Sequence, residues 1–158
     1  MSLQFSEAAL REIEALKDQY PDLRALMLPA LHLAQREFGH VSEQAERLVA
    51  ETLAQPLSDV HEAVTFYTLF HRRPPGEHVV YLCRTLSCWM RGADQVREHV
   101  CRKLGIRPGE TSADGKVSVF ESECLGACEI APVALVDQDF VGPLDPSKAD
   151  QLLEKLGS

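Results

Sequence analysis

No apolar run in these 158 residues approaches the roughly 20 needed to cross a bilayer, so the sequence predicts no direct membrane insertion. The opening residues, MSLQFSEAALREIEALKD, lack a basic leader followed by an apolar stretch and a small-residue cleavage site. That predicts a cytoplasmic chain whose thiols stay reduced. Neither G-x-G-x-x-G nor a Walker loop occurs, so the sequence shows no nucleotide-phosphate cradle of these types. C-x-x-C is also absent, which argues against a thioredoxin-type dithiol. Positive charge is in short supply: 16 Lys and Arg face 24 Asp and Glu, for a net charge of −8. Such a balance disfavours nucleic acid and anionic membrane surfaces as partners and leaves protein partners or small-molecule chemistry.

What is present falls into two stretches of different period. Residues 1 to about 73 read as helices only. Ala9, Ile13, Leu16 and Tyr20 recur behind a Ser6 cap, and Leu31, Ala34 and Phe38 recur up to a Gly39 stop. Ser42 caps a third segment bearing Ala45, Leu48, Val49 and Thr52 on one face. Ser58-Asp59 is the expected cap of a fourth, with Val60, Val64 and Tyr67. Pro74-Pro75-Gly76 then interrupts the helical period and marks the expected boundary, giving domains 1–75 and 76–158. Beyond it HVVYL, VSVF and VALV read as strands, and Ala93, Val96, Val100 and Leu104 as a helical face. Asp137-Gln138-Asp139 turns the chain toward FVG, and Asp145-Pro146 opens a last helix with Ala149, Leu152, Leu153 and Leu156. The expected fold class is α+β: an N-terminal helical bundle, then an α/β domain compatible with a thioredoxin-like layer of sheet and helices.

Four of the five cysteines form two pairs, C-x4-C in CRTLSC (Cys83, Cys88) and C-x3-C in CLGAC (Cys124, Cys128). Each pair follows a predicted strand, so two loops at one end of a sheet can bring four thiolates together. A disulfide framework conflicts with a reducing compartment and a chain long enough to build a core. Zinc accepts four thiolates at such spacings, so a zinc-stabilised interaction module stays open on the residues alone. Leu86, Ser87, Leu125, Gly126 and Ala127 are small or apolar, and their backbone N–H groups can approach bridging sulfides, which favours an iron–sulfur cluster.

The chain resembles a known family along nearly its whole length, in ALHLAQREFGHVS, VTFYTLFHRRPPGEH, YLCRTLSCWMRGA, LGIRPGETSADGKVSVFESECLGACEIAPV and LDPSKADQLLEKL. These stretches are similar to the [2Fe-2S] thioredoxin-like ferredoxin subunit of NADH:quinone oxidoreductase (complex I), whose relatives serve NAD-dependent formate dehydrogenases and NAD-linked hydrogenases. The resemblance implies a thioredoxin-like C-terminal domain with Cys83, Cys88, Cys124 and Cys128 as ligands of one [2Fe-2S] cluster. It implies a non-catalytic electron-transfer subunit of an NADH dehydrogenase complex. Its partner would be a flavoprotein subunit holding FMN and NADH, alongside further complex subunits, peripheral to the inner face of a membrane.

Cys101, beside Val100, has no partner in the motif and reads as a small core hydrophobe. The six histidines read as surface or satisfied polar residues, Arg72-Arg73 as a solvated pair, and Trp89 and Met90 as core, shield or partner contact. Arg84 departs from the small or polar residue usual in the family. Next to Cys83 its charge is expected to favour the reduced, more negative cluster and raise the potential, whereas Glu121, Glu123 and Glu129 are expected to lower it.

Overall fold

A computed structural model describes residues 3–157 and divides into two compact units, Met1–Pro74 and Pro75–Ser158. The first unit is helical. Helix α1 (Glu7–Lys17) starts where the Ser6 hydroxyl accepts the Ala9 N–H at 3.2 Å. It ends before Tyr20, because the residue preceding Pro21 is excluded from helical geometry, and Tyr20 lies beyond the helix on the surface. A 3-10 turn, Leu23–Leu26, capped by Asp22, leads into α2 (Met27–Phe38), which stops at Gly39 with φ +77°. Helix α3 (Glu43–Leu53) is capped by Ser42, as its sequence predicts.

Helix α4 (Leu57–Phe66) departs from expectation. Ser58 and Asp59 lie inside its first turn and cap nothing; the Pro56 carbonyl accepts the Asp59 N–H at 3.1 Å and starts the helix instead. The helix also stops one residue before Tyr67, which is exposed with Phe66. Leu31, Ala34, Val41, Ala45, Val49, Leu53 and Val60 are fully buried and form the centre of this unit's core. Glu46 is buried among them. Its carboxylate takes His61 Nδ1 at 2.8 Å and Arg72 Nε at 3.4 Å, so Arg72 is an anchor rather than a solvated cation.

The second unit is a five-stranded mixed sheet in the order β2-β3-β1-β4-β5. Strand β1 (His78–Cys83) is central, parallel to β3 (Val117–Ser122) and antiparallel to β4 (Ala134–Val136). Strand β5 (Asp139–Val141) closes one edge, and β2 (Glu110–Thr111), two residues long, closes the other. A short helix α5 (Leu86–Met90) follows β1 and runs into α6 (Ala93–Leu104). Helix α7 (Pro146–Lys155) starts with Pro146 in its first turn behind Asp145, whose carboxylate accepts the Lys148 N–H at 2.9 Å.

Alternation sets the core. Val80, Leu82, Val117, Val119 and Ala134 face Val96 and Val100 of α6 and Ala149 and Leu153 of α7. On the other face Tyr81 stacks on Phe120 with ring centroids 5.4 Å apart. Ser118 is fully buried on that polar side of the alternation, satisfied by the Gly76 N–H at 2.8 Å and the Thr111 hydroxyl at 2.7 Å.

Candidate metal centre

Parallel pairing of β1 and β3 brings the two cysteine pairs to one end of the sheet. The last residues in register are Cys83 and Ser122, so Cys83 ends β1 while Cys124 lies two residues past the end of β3. Cys88 lies in α5, and Cys128 opens a 3-10 turn, Cys128–Ile130. None of the five cysteines is in a disulfide. Cys83 and Cys88 are buried in a small apolar nest with Ala93, Ala127, Ala131 and Val133, whereas Cys124 and Cys128 are exposed. Among the described residues, no three His, Cys, Asp or Glu side chains are grouped as a single-ion site.

The nest is polar where it meets sulfur. Cys83 Sγ lies 3.3 Å from the Thr85 hydroxyl and 3.6 Å from the Glu123 carbonyl. Burial pushes the Cys83 thiol up, but hydrogen bonds from Thr85, the Leu125 backbone and Cys88 outweigh it and leave it below its ordinary value. Burial raises Cys88, only partly offset by a backbone hydrogen bond from Val133.

Arg84 is ion-paired. Its guanidinium donates to Glu123 Oε1 and lies 3.9 Å from Glu121 Oε2. Glu129 is exposed. Trp89 and Met90 are 57% and 73% exposed, which removes the core-packing reading for both. Cys101 is half-buried on α6 against the sheet core, with its thiol raised chiefly by burial. His61, His78 and His99 each pair with a carboxylate, as satisfied polar residues do.

The profile of the thioredoxin-like [2Fe-2S] ferredoxins matches residues 13–157. The chain belongs to that family. It is 45% identical over 143 residues to an NADH-quinone oxidoreductase subunit of Rhizobium meliloti (strain 1021), covering 90% of this chain and 85% of the relative. It is 37% identical to the corresponding NADH-quinone oxidoreductase subunit of Rickettsia bellii (strain RML369-C), covering 96% and 93%. Among solved structures, an air-oxidised NAD+-reducing [NiFe]-hydrogenase superposes with a TM-score of 0.71 at 26% identity. That match covers 84% of this chain, which spans only 23% of the hydrogenase chain.

As a member of the thioredoxin-like [2Fe-2S] ferredoxins the chain can be tested for fit. Four thiols lie at the end of β1 and in the segments that follow β1 and β3, two of them in an apolar pocket that supplies backbone hydrogen bonds to sulfur. That donor set suits a two-iron cluster.

Sequence reasoning missed Gly142, which follows β5. A Cβ there would lie 2.2 Å from the Ile130 carbonyl oxygen and 3.1 Å from that of Pro132. Both are backbone atoms in the segment after Cys128, and only the Gly-Pro punctuation of FVGP hinted at this close approach. Gly142→Ala is expected to displace that segment, cost about 1–3 kcal/mol in denaturation experiments and lower the iron content. An alanine variant with unchanged stability and iron would show that the segment yields freely.

Proposed function

We propose that Cys83, Cys88, Cys124 and Cys128 hold one [2Fe-2S] cluster and that this chain transfers single electrons as a non-catalytic subunit of an NADH:quinone oxidoreductase. A cluster of this type accepts and returns one electron, with a potential set by nearby charge, hydrogen bonds and solvent. Cys83 and Cys88 would hold one iron and Cys124 and Cys128 the other. The observation that supports this reading is the parallel register of β1 and β3, which ends with Cys83 opposite Ser122 and so leads both cysteine-bearing segments off the same end of the sheet. Ala127, Ala131 and Val133 keep water from the inner pair, while the Leu125 and Val133 backbones direct hydrogen bonds to their sulfurs.

The partner is a flavoprotein subunit that holds FMN and NADH, with further subunits of the complex beyond it. Leu86, Trp89 and Met90 stand exposed on the short helix that carries Cys88 and offer a redox partner an apolar contact there. No helix among the described residues is long and apolar enough to cross a membrane. A second reading, the equivalent subunit of an NAD-linked hydrogenase, draws on the 26% identical structural neighbour. The 45% identity to a quinone-reductase subunit matched over most of its length favours the first.

Metal and sulfide analysis of the purified chain tests the proposal. We expect about two irons and two acid-labile sulfides per chain, with a reducible red-brown chromophore. A colourless protein with stoichiometric zinc would restore the interaction-module reading.

Arg84 supplies a further check. Arg84→Ala strips Glu123 of its counter-charge and leaves Glu121 paired with Arg97 alone, so the added negative charge of reduction meets more repulsion. The midpoint is expected to fall by about 10–50 mV at low ionic strength and less in high salt. An unchanged or raised midpoint in an EPR-monitored titration would contradict this.

A further inference from the structure

The register of β1 and β3 ends at Cys83 opposite Ser122, and the next two residues in step are Arg84 and Glu123. Past that point the strands separate into the loops that carry the remaining thiols. One backbone hydrogen bond extends across the gap, from the Arg84 N–H to the Ser122 carbonyl at 3.0 Å. Side chains then continue the pairing. The Arg84 guanidinium binds Glu123 through Nη2 and approaches Glu121 through Nη1. Glu121 Oε1 in turn accepts from Arg97 Nη1 at 3.2 Å, and Arg97 Nη1 reaches Asp94 Oδ1 at 2.7 Å.

The result is a row of alternating charge, Glu123–Arg84–Glu121–Arg97–Asp94, running from the residue before Cys124 to the first turn of α6. An isolated exposed ion pair contributes little, but charges in a network whose inner members are partly buried hold geometry better. Arg97 and Glu121 are those inner members, at 26% and 30% side-chain exposure. Arginine suits the bridging position because its planar fork can donate to two carboxylates at once, whereas a lysine ammonium acts as a point charge.

We propose that Arg84 is a positioning residue: it straps the Cys83–Cys88 loop to the Cys124–Cys128 loop and so fixes the separation of the two thiol pairs. This rests on the cluster assignment above and adds to it how the second pair is held in place. The strap acts in both the loaded and the unloaded chain, since none of its members is a thiol.

Two measurements on the full chain test it. In the first, cluster loss to an excess of an iron chelator is followed by visible absorbance for the wild type, Arg84→Ala, Glu123→Ala, the double variant and Arg84→Lys. We expect each alanine variant to lose the cluster about two- to fivefold faster, and the double variant no faster than the faster single. Arg84→Lys should recover part of the difference, and high salt should bring the wild type toward the Arg84→Ala rate. In the second, amide hydrogen exchange of residues 123–127 in the metal-free chain should quicken by a similar factor in Arg84→Ala. Unchanged loss and exchange rates in Arg84→Ala, or effects that multiply in the double variant, would overturn the strap while leaving the cluster in place. A wild type that binds no iron, with exchange still quickened in Arg84→Ala, would overturn the cluster assignment and leave the strap standing.

Discussion

Replacing any one of Cys83, Cys88, Cys124 or Cys128 by alanine is expected to abolish the cluster or leave it too labile to purify, whereas Cys101→Ala keeps it with a normal reduced EPR signal. The four differ in how they fail. Cys88 is 1% exposed, so its loss also opens a small void in the nest with Ala93 and Val133 and lowers the stability of the metal-free fold by about 1–2 kcal/mol. Cys124 and Cys128 are exposed, and their removal should leave metal-free stability nearly unchanged. Cys101 lies on α6, packed with Leu104 and Ile106 against the sheet core, and burial raises its thiol. Iron content, the EPR signal and circular dichroism on all five variants separate ligand loss from unfolding. Loss of the signal in Cys101→Ala, with one of the other four retaining it, would overturn the ligand set.

Features that depend on one residue and its near neighbours were readable in advance. Ser6, Ser42 and Asp145 cap helices, and Gly39 ends one, because each satisfies a backbone group or adopts a backbone angle within a turn of its own position. The cysteine pairs were readable for a similar reason: a strand followed by a loop fixes where each pair emerges. Features decided by distant contacts were not. Strand β2 exists only because Glu110 and Thr111 pair with the edge of β3, and two residues carry no period. Glu46 looks like a surface position on an amphipathic helix, yet His61 and Arg72, both far along the chain, enclose it. The pairing of Arg84 was not legible either, because nothing in CRTLSC reveals that the chain past the β1–β3 register sets Glu123 beside it.

The same separation of local and distant contacts leads to the second large effect, the division of labour between the two units. Every buried residue of the helical core lies between Phe5 and Phe70, and the sheet core and the cysteine nest draw only on residues from Val80 onward. A fragment of residues 75–158 therefore retains complete apolar cores and is large enough to fold alone. The cut belongs before Pro75, because the Gly76 N–H satisfies the buried Ser118 hydroxyl. We expect this fragment to hold the full complement of iron with an unchanged reduced EPR signal. Partner binding should suffer instead. The helical unit exposes Leu10, Leu23, Phe66, Tyr67 and Leu69, and Phe66 and Tyr67 line an open groove of about 420 Å³ with Met27 and Leu28. An apolar groove rimmed by charged residues, here Arg24, Asp59 and Glu62, is what protein interfaces cover. Removing it should weaken association with the flavoprotein by at least about tenfold, near 1.4 kcal/mol, in a titration of both chains against the same partner preparation. Equal affinity of the fragment and the full chain would assign docking to the cluster unit alone, and a fragment without iron would show that the helices support the centre itself.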